Sequence, residues 1–126
     1  MTSGPDNPAD AGPLLPGDPQ AVRDIAEVPA IEVITTTALH LMSAAAVKCG
    51  LSEDESDGRW TDLDEARKLI TALAGLVTAA APEVGSDHAR LLREGLRQLQ
   101  LAFREASVVP DPPGQGPGER LTGPVS

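Results

Sequence analysis

Residues 62–81, DLDEARKLITALAGLVTAAA, contain the clearest helix signal of the chain. Their apolar side chains recur at intervals of three and four, which places them on one face of an α-helix. They are Leu63, Ala66, Ile70, Leu73, Val77 and Ala80. Two pairs before and inside this stretch, Thr61 with Asp64 and Asp62 with Glu65, have the spacing of a capping box. We predict a helix over about 62–81, stopped by Pro82 and Gly85.

Two further segments repeat the same spacing. One contains Ile31, Ile34, Ala38, Leu41 and Ala45, and the other contains Ala89, Leu92, Leu96, Leu99, Phe103 and Ala106. They predict helices over about 29–49, capped by Gly50, and over about 86–106, capped by Ser86. A short helical turn is predicted to follow Asp18 and Pro19. Short links between three matching apolar faces predict an all-α fold, a small antiparallel three-helix bundle.

The two ends of the chain have a different composition. Apart from Pro29 and Pro82, the 12 prolines all lie within residues 5–19 and 110–124. Segments rich in proline and poor in apolar residues bury too little surface to offset the conformational entropy that the chain loses on ordering. We therefore predict tails without fixed structure at 1–20 and 108–126, around one helical domain at 21–107. With one Phe, one Trp and no Tyr, the core is thin, and a homo-oligomer would enlarge it.

The net charge and the cysteine content disfavour a nucleic-acid-binding protein and favour a cytoplasmic one. The net charge of −9 disfavours general binding to nucleic acid, because the phosphate backbone is repelled. A single cysteine, Cys49, and no basic segment followed by an apolar run at the start favour a cytoplasmic protein. Residues 30–49 are the most apolar, but Glu32 and Lys48 interrupt them. We interpret them as a soluble helix and predict no membrane partner.

Several segments resemble a bacterial family known only as domain of unknown function 1844. They are the run ITTTALHLM at Ile34–Met42, a turn-rich acidic gap, the run at Asp62–Ile70 and the helix at Leu91–Phe103. Residues 44–51 and 116–119 resemble its actinobacterial branch. The resemblance covers about 28–107 and implies no activity or site residue. It does imply a link to translation, since such genes lie near translation-factor genes in some bacteria.

No catalytic, cofactor or metal site is predicted. Thr36 lies one turn before His40 and could act with it as nucleophile and base, but a third orienting group and oxyanion donors are missing. We interpret both as buried polar residues, with His40 in the core or at an interface. His40, Cys49 and His88 lack the spacing of a zinc site. The acidic loop at 53–58 lacks the ligand order of a calcium loop, and no glycine-rich phosphate loop follows a strand.

Two features are candidates for binding a partner. Arg90, Arg93, Arg97 and Arg104 form a stripe offset by one residue from the leucines of the third helix. The stripe suits phosphates or an acidic helix, or else forms a solvated face paired with Glu94. Trp60 is either a hydrophobic staple or an interface anchor.

We predict a non-enzymatic protein-interaction or regulatory module that self-associates. The alternative is an accessory factor that joins RNA or the translation machinery through the arginine stripe. The two differ in a measurable way, since RNA retention by the stripe would be sensitive to salt.

Overall fold

The computed structural model describes residues 19–51 and 58–125, which form helices and no strand. The helices are α1 (Pro19–Ala26), α2 (Ala30–Lys48), α3 (Leu63–Val84), α4 (Ser86–Ala106) and α5 (Glu119–Thr122). The all-α prediction is confirmed. The chain divides after Val33 into two compact units. The predicted tail over residues 1–18 and most of the acidic loop, residues 52–57, lie outside the described residues.

Helix α1 belongs to the first unit and begins at Pro19, so the predicted tail extends two residues too far. Hydrogen bonds within the helix join its polar side chains. Gln20 Nε2 donates to Asp24 Oδ1 at 3.0 Å, and Arg23 Nη2 donates to Gln20 Oε1 at 2.9 Å. These bonds span one helical turn, as residues three and four apart do.

The core of the second unit lies mainly between α3 and α4. Its largest fully buried side chains are Ile70, Leu73, Val77 and Leu96, and each contributes roughly 1.5–3 kcal/mol relative to exposure. The start of α3 meets the end of α4, because the Arg67 guanidinium lies 4.9 Å from the centre of the Phe103 ring. The two apolar faces predicted for these helices therefore pack on each other.

A single residue, Gly85, links α3 to α4. The sequence predicted that Pro82 and Gly85 would stop α3 and that Ser86 would cap α4. The stop at Gly85 is confirmed, whereas the roles of Pro82 and Ser86 are wrong. Pro82 lies inside α3, and Ser86 is the first residue of α4. Gly85 has φ 90° and ψ 153°, a conformation open in practice only to glycine. This residue turns the chain, so neither a proline stop nor a serine cap is required.

The end of α2 and the start of α3 are both capped, and one backbone hydrogen bond joins them. Gly50 N donates to Val47 O at 3.0 Å and Leu51 N to Ala46 O at 2.9 Å, the Schellman pattern of a helix end. This confirms Gly50 as the predicted cap. Of the two proposed capping pairs, the Asp62 pair forms, since Asp62 Oδ1 accepts from Glu65 N at 3.2 Å. Asp62 N donates to Lys48 O at 2.8 Å and so fixes α3 beside α2.

Helix α2 also packs against α4 at a glycine. A Cβ atom on Gly95 would lie 2.7 Å from Sδ and Cε of Met42. The absence of a side chain at Gly95 therefore lets the two helices approach. Gly75, in α3, has nothing within 4 Å of a Cβ position, and no packing contact explains why glycine occurs there.

The C-terminal segment, residues 108–125, is ordered and packed on α3 and α4, so the predicted tail over 108–126 is wrong for these residues. Val125 and Glu119 are buried, and α5 contacts α3. Arg67 Nη2 lies 2.9 Å from Asp111 Oδ2, and Arg104 Nη1 donates to Asp111 O at 3.2 Å. The segment is held largely by polar contacts, which a count of apolar residues does not detect.

Two buried polar side chains order this segment, Gln100 from α4 and Glu119 from within the segment itself. Gln100 Nε2 donates to Pro117 O at 3.0 Å and to Thr122 Oγ1 at 3.1 Å. Glu119 Oε1 and Oε2 each accept a backbone bond at 2.9 Å, from Gly116 N and Val125 N. Buried polar groups that are satisfied in this way hold a segment in one conformation.

Replacement of Gly85 by alanine should destabilise the protein by about 1–3 kcal/mol, because alanine is strained at this φ and ψ. Gly75→Ala, at an open helical position, is expected to stabilise it by about 0.5–1 kcal/mol. Urea denaturation followed by circular dichroism measures both. Equal effects of the two variants would contradict the role given to Gly85.

Gly118→Ala should loosen the C-terminal segment. Gly118 has φ 78°, and its Cβ would lie 2.7 Å from Ala74 Cβ, so overpacking adds about 1–3 kcal/mol to the backbone strain. Gly114→Ala is the matched control, since Gly114 has φ 83° and open space around its Cβ position. Amide hydrogen exchange at Val125 and Gly116 should accelerate far more in Gly118→Ala than in Gly114→Ala.

Candidate functional site

The exposed surface of α2 is the most unusual feature of the second unit. We define the α2 outer face as Thr36, Leu39, His40, Ser43 and Val47, all of them exposed. These positions lie within a narrow arc of the helix because they repeat at three and four residues. Leu39 is 58% exposed, and Val47 is also among the exposed large apolar residues. Only Ala38 and Ala45 of α2 are fully buried.

The apolar composition of α2 makes the exposure of this helix more unusual. In the described part of the chain, α2 is the one helix that is both long enough and apolar enough to cross a membrane. Only 11% of its most apolar window of 18 residues is buried. Length and composition alone are weak evidence for a span, since core helices and signal sequences meet the same criterion. The finding establishes that α2 carries more apolar surface than residues 19–51 and 58–125 cover.

Thr36 and His40 do not occupy the buried positions that the sequence predicted. Both are exposed on the α2 outer face. The buried side of α2 is formed instead by Ala38, Ala45 and Cys49, with Ile34 and Leu41 partly buried. Positions 36 and 40 point away from this side because a helix turns about 100° per residue. The interpretation of His40 as an interface residue stays a prediction.

The arginine stripe divides into two pairs of residues. Arg90 lies 3.9 Å from both Asp87 Oδ1 and Glu94 Oε2, and Arg104 donates to Asp111 O in the C-terminal segment. Arg93 and Arg97 have no ion pair or hydrogen bond with any side chain in the ranges 19–51 and 58–125. Both line a cavity beneath the C-terminal segment. The stripe therefore offers two available guanidinium groups, not four.

Trp60 lies just before α3 and is half-exposed. The guanidinium carbon of Arg59 lies 5.6 Å from the centre of its ring, a cation–π arrangement. The N-cap is Asp62, so Trp60 lies one position earlier than a hydrophobic staple requires. Its role as a partner-binding residue stays a prediction.

Metal-ligating side chains do not gather in the described part of the chain. No three His, Cys, Asp or Glu residues there lie close enough to share an ion. Cys49 is a free thiol, buried at the end of α2, and burial raises its pKa above the ordinary value for cysteine. A raised pKa leaves less of the reactive thiolate at neutral pH.

Gln100 and Glu119 are structurally important polar residues that the sequence analysis missed. Gln100 occurs on the apolar side of α4, next to Leu99, where the three-four spacing alone assigns no role to it. Glu119 occurs in a proline- and glycine-rich stretch that was predicted to be unstructured. The available signal was the presence of a polar residue beside the leucine stripe of α4, which implies a buried hydrogen-bond partner.

The chain belongs to the family described as domain of unknown function (DUF1844), whose profile matches residues 30–105. The match begins at α2, includes α3 and ends within the last turn of α4. The C-terminal segment lies outside it. No curated protein and no solved structure matches the chain.

Cys49 should react slowly with a disulfide reagent. Because burial raises its pKa and blocks access, the reaction with dithionitrobenzoate at pH 8 should be at least ten-fold slower in the native protein than in urea. Glutathione under both conditions is the control for an effect of urea on the reagent. Equal rates for native and denatured protein would show that the thiol is accessible.

Proposed function

We propose that this protein is a non-enzymatic interaction module that pairs with a second copy of itself through the α2 outer face. The observation that carries the proposal is the exposure of an apolar 19-residue helix. The described part of the chain buries this helix poorly, and removing water from apolar surface lowers the free energy. A second copy doubles the thin core that one aromatic-poor chain provides.

The charges of α2 favour an antiparallel pair. Glu32 lies in the first turn of the helix and Lys48 in the last. His40 lies midway between Glu32 and Lys48 along the helix. A two-fold axis near His40 therefore places Glu32 of each copy beside Lys48 of the other copy. Such a pairing is isologous and closes at two chains. The small side chains of Thr36 and Ser43 let the two helices approach.

The same proposal includes a three-helix antiparallel bundle within each copy. The contact of Arg67 with Phe103 supports opposite directions for α3 and α4. Met42 faces Gly95, and Ala46 and Leu99 line one groove, which supports a common direction for α2 and α4. We also place the protein in the cytoplasm, on the strength of its single free cysteine, and in the actinobacterial branch, on the strength of residues 44–51 and 116–119.

Binding of RNA or of the translation machinery through the arginine stripe is the less favoured alternative. Arg90 has two carboxylate neighbours, and Arg104 is engaged with the C-terminal segment. Two remaining arginines supply few phosphate contacts for a chain of net charge −9. A regulatory role is compatible with self-association, since a change of oligomeric state alters which surfaces are exposed.

Leu39→Lys should weaken self-association at least ten-fold, because it places a charge in the centre of the proposed interface. Sedimentation velocity over a range of protein concentrations measures the dissociation constant. Val108→Lys is the matched control, since Val108 is 97% exposed and lies outside α2, and it should behave like the unaltered chain. A monomeric unaltered chain at all concentrations would refute the proposal, as would monomers that float with phospholipid vesicles.

A charge exchange tests the direction of pairing. Glu32→Lys alone should weaken the dimer, since it places two cations together at both ends of the interface. Adding Lys48→Glu should restore most of the affinity, because opposite charges then face each other again. Failure of the double variant to recover, with each variant still helical by circular dichroism, would exclude the antiparallel arrangement.

A further inference from the structure

A cavity of about 390 Å³ lies between the C-terminal segment and the α3–α4 pair. Val77 and Leu96 form the apolar wall on the side of the helices. Leu121 and Val125 form the apolar wall on the side of the C-terminal segment. The volume lies in the range of sites for small organic ligands. All of these residues belong to the second unit, and Leu121 and Val125 lie beyond the family match at 30–105.

The charge beside this cavity is cationic and unpaired. Arg93 and Arg97 line it, one helical turn apart on α4. Neither has an ion-pair partner in the part of the chain that the structure describes. Two guanidinium groups one helical turn apart, neither in an ion pair with a described carboxylate, repel each other unless an anion lies between them. Their planar donors match the oxygens of a carboxylate or phosphate.

A buried acceptor also lines the cavity. Gln100 is 3% exposed, and its Nε2 atom donates both of its hydrogen bonds, to Pro117 O and Thr122 Oγ1. Its Oε1 atom has no donor among residues 19–51 and 58–125. A buried carbonyl oxygen without a partner costs about 1–3 kcal/mol, so an oxyanion that also retains an O–H group, as a singly protonated phosphate monoester does, would gain a hydrogen bond here.

We propose that this cavity binds a small amphipathic oxyanion, a carboxylate or phosphate monoester carried on an apolar chain or ring. Arg93 and Arg97 hold the anionic group, and Val77, Leu96 and Val125 surround the apolar part. Binding joins the C-terminal segment to α4 and so protects that segment from local opening. This site is separate from the α2 outer face and does not depend on self-association.

Nuclear magnetic resonance of the full chain tests the proposal directly. Octanoate and octyl phosphate are titrated separately, with octanol as the neutral analogue and inorganic phosphate as the anion without an apolar part. At least one octyl anion should shift the Gln100 side-chain amide and the backbone amides of Leu121 and Val125. The stronger of the two distinguishes a carboxylate source from a phosphate source. Octanol and inorganic phosphate should each bind at least ten-fold more weakly.

Charge variants separate this site from general attraction of anions. The double variant Arg93→Gln with Arg97→Gln should weaken binding of the octyl anion at least ten-fold. Arg90→Gln is the matched control, because it removes the same charge from the same helix outside the cavity lining. An equal loss in Arg90→Gln would overturn the proposal. So would equal affinity for octanol, or shifts confined to Leu39 and Val47 on the α2 outer face.

Discussion

The structure depends on the packing of α3 against α4 across a one-residue link. Ile70, Leu73 and Val77 on one helix and Leu96 on the other are buried completely or nearly so. This packing is possible because Gly85 reverses the chain without a loop. Once the two helices are paired, the start of α3 lies beside the end of α4. Arg67 can then reach both Phe103 and Asp111, and the C-terminal segment has a surface on which to pack.

The C-terminal segment shows how polar contacts order a region that is poor in apolar residues. Gln100 and Glu119 are both buried, and both bond to backbone groups of the segment. Each such bond contributes modestly, about 0.5–1.5 kcal/mol, but losing one partner leaves a buried polar group unsatisfied. The attachment is therefore cooperative. It also encloses the cavity beside Arg93 and Arg97, so order in this segment and the proposed ligand site have the same structural origin.

Helix α2 has the opposite character, since it is apolar but largely exposed. Its inner side is built from small residues such as Ala38 and Ala45, which bury little area. Its outer side holds Leu39 and Val47 among hydroxyl groups and His40. A helix of this kind is stable in water mainly when another surface covers it. The family match begins at this helix, which ties the proposed self-association to the region that defines the family.

The periodicity of the sequence by itself determined three helices and their inner faces, because spacing of three and four is a local property of the helix. Gly50 as a cap, the Asp62 pair and the family were also available from local residues. Tertiary structure alone decided the burial of Gln100 and Glu119, the exposure of Thr36 and His40, and the division of the arginine stripe. The burial of Gln100 depends on partners that are distant in the chain, Pro117 and Thr122, which lie 17 and 22 residues away. Composition predicted a disordered C-terminus because it counts apolar area, whereas hydrogen bonds and ion pairs to α3 and α4 hold that segment in place.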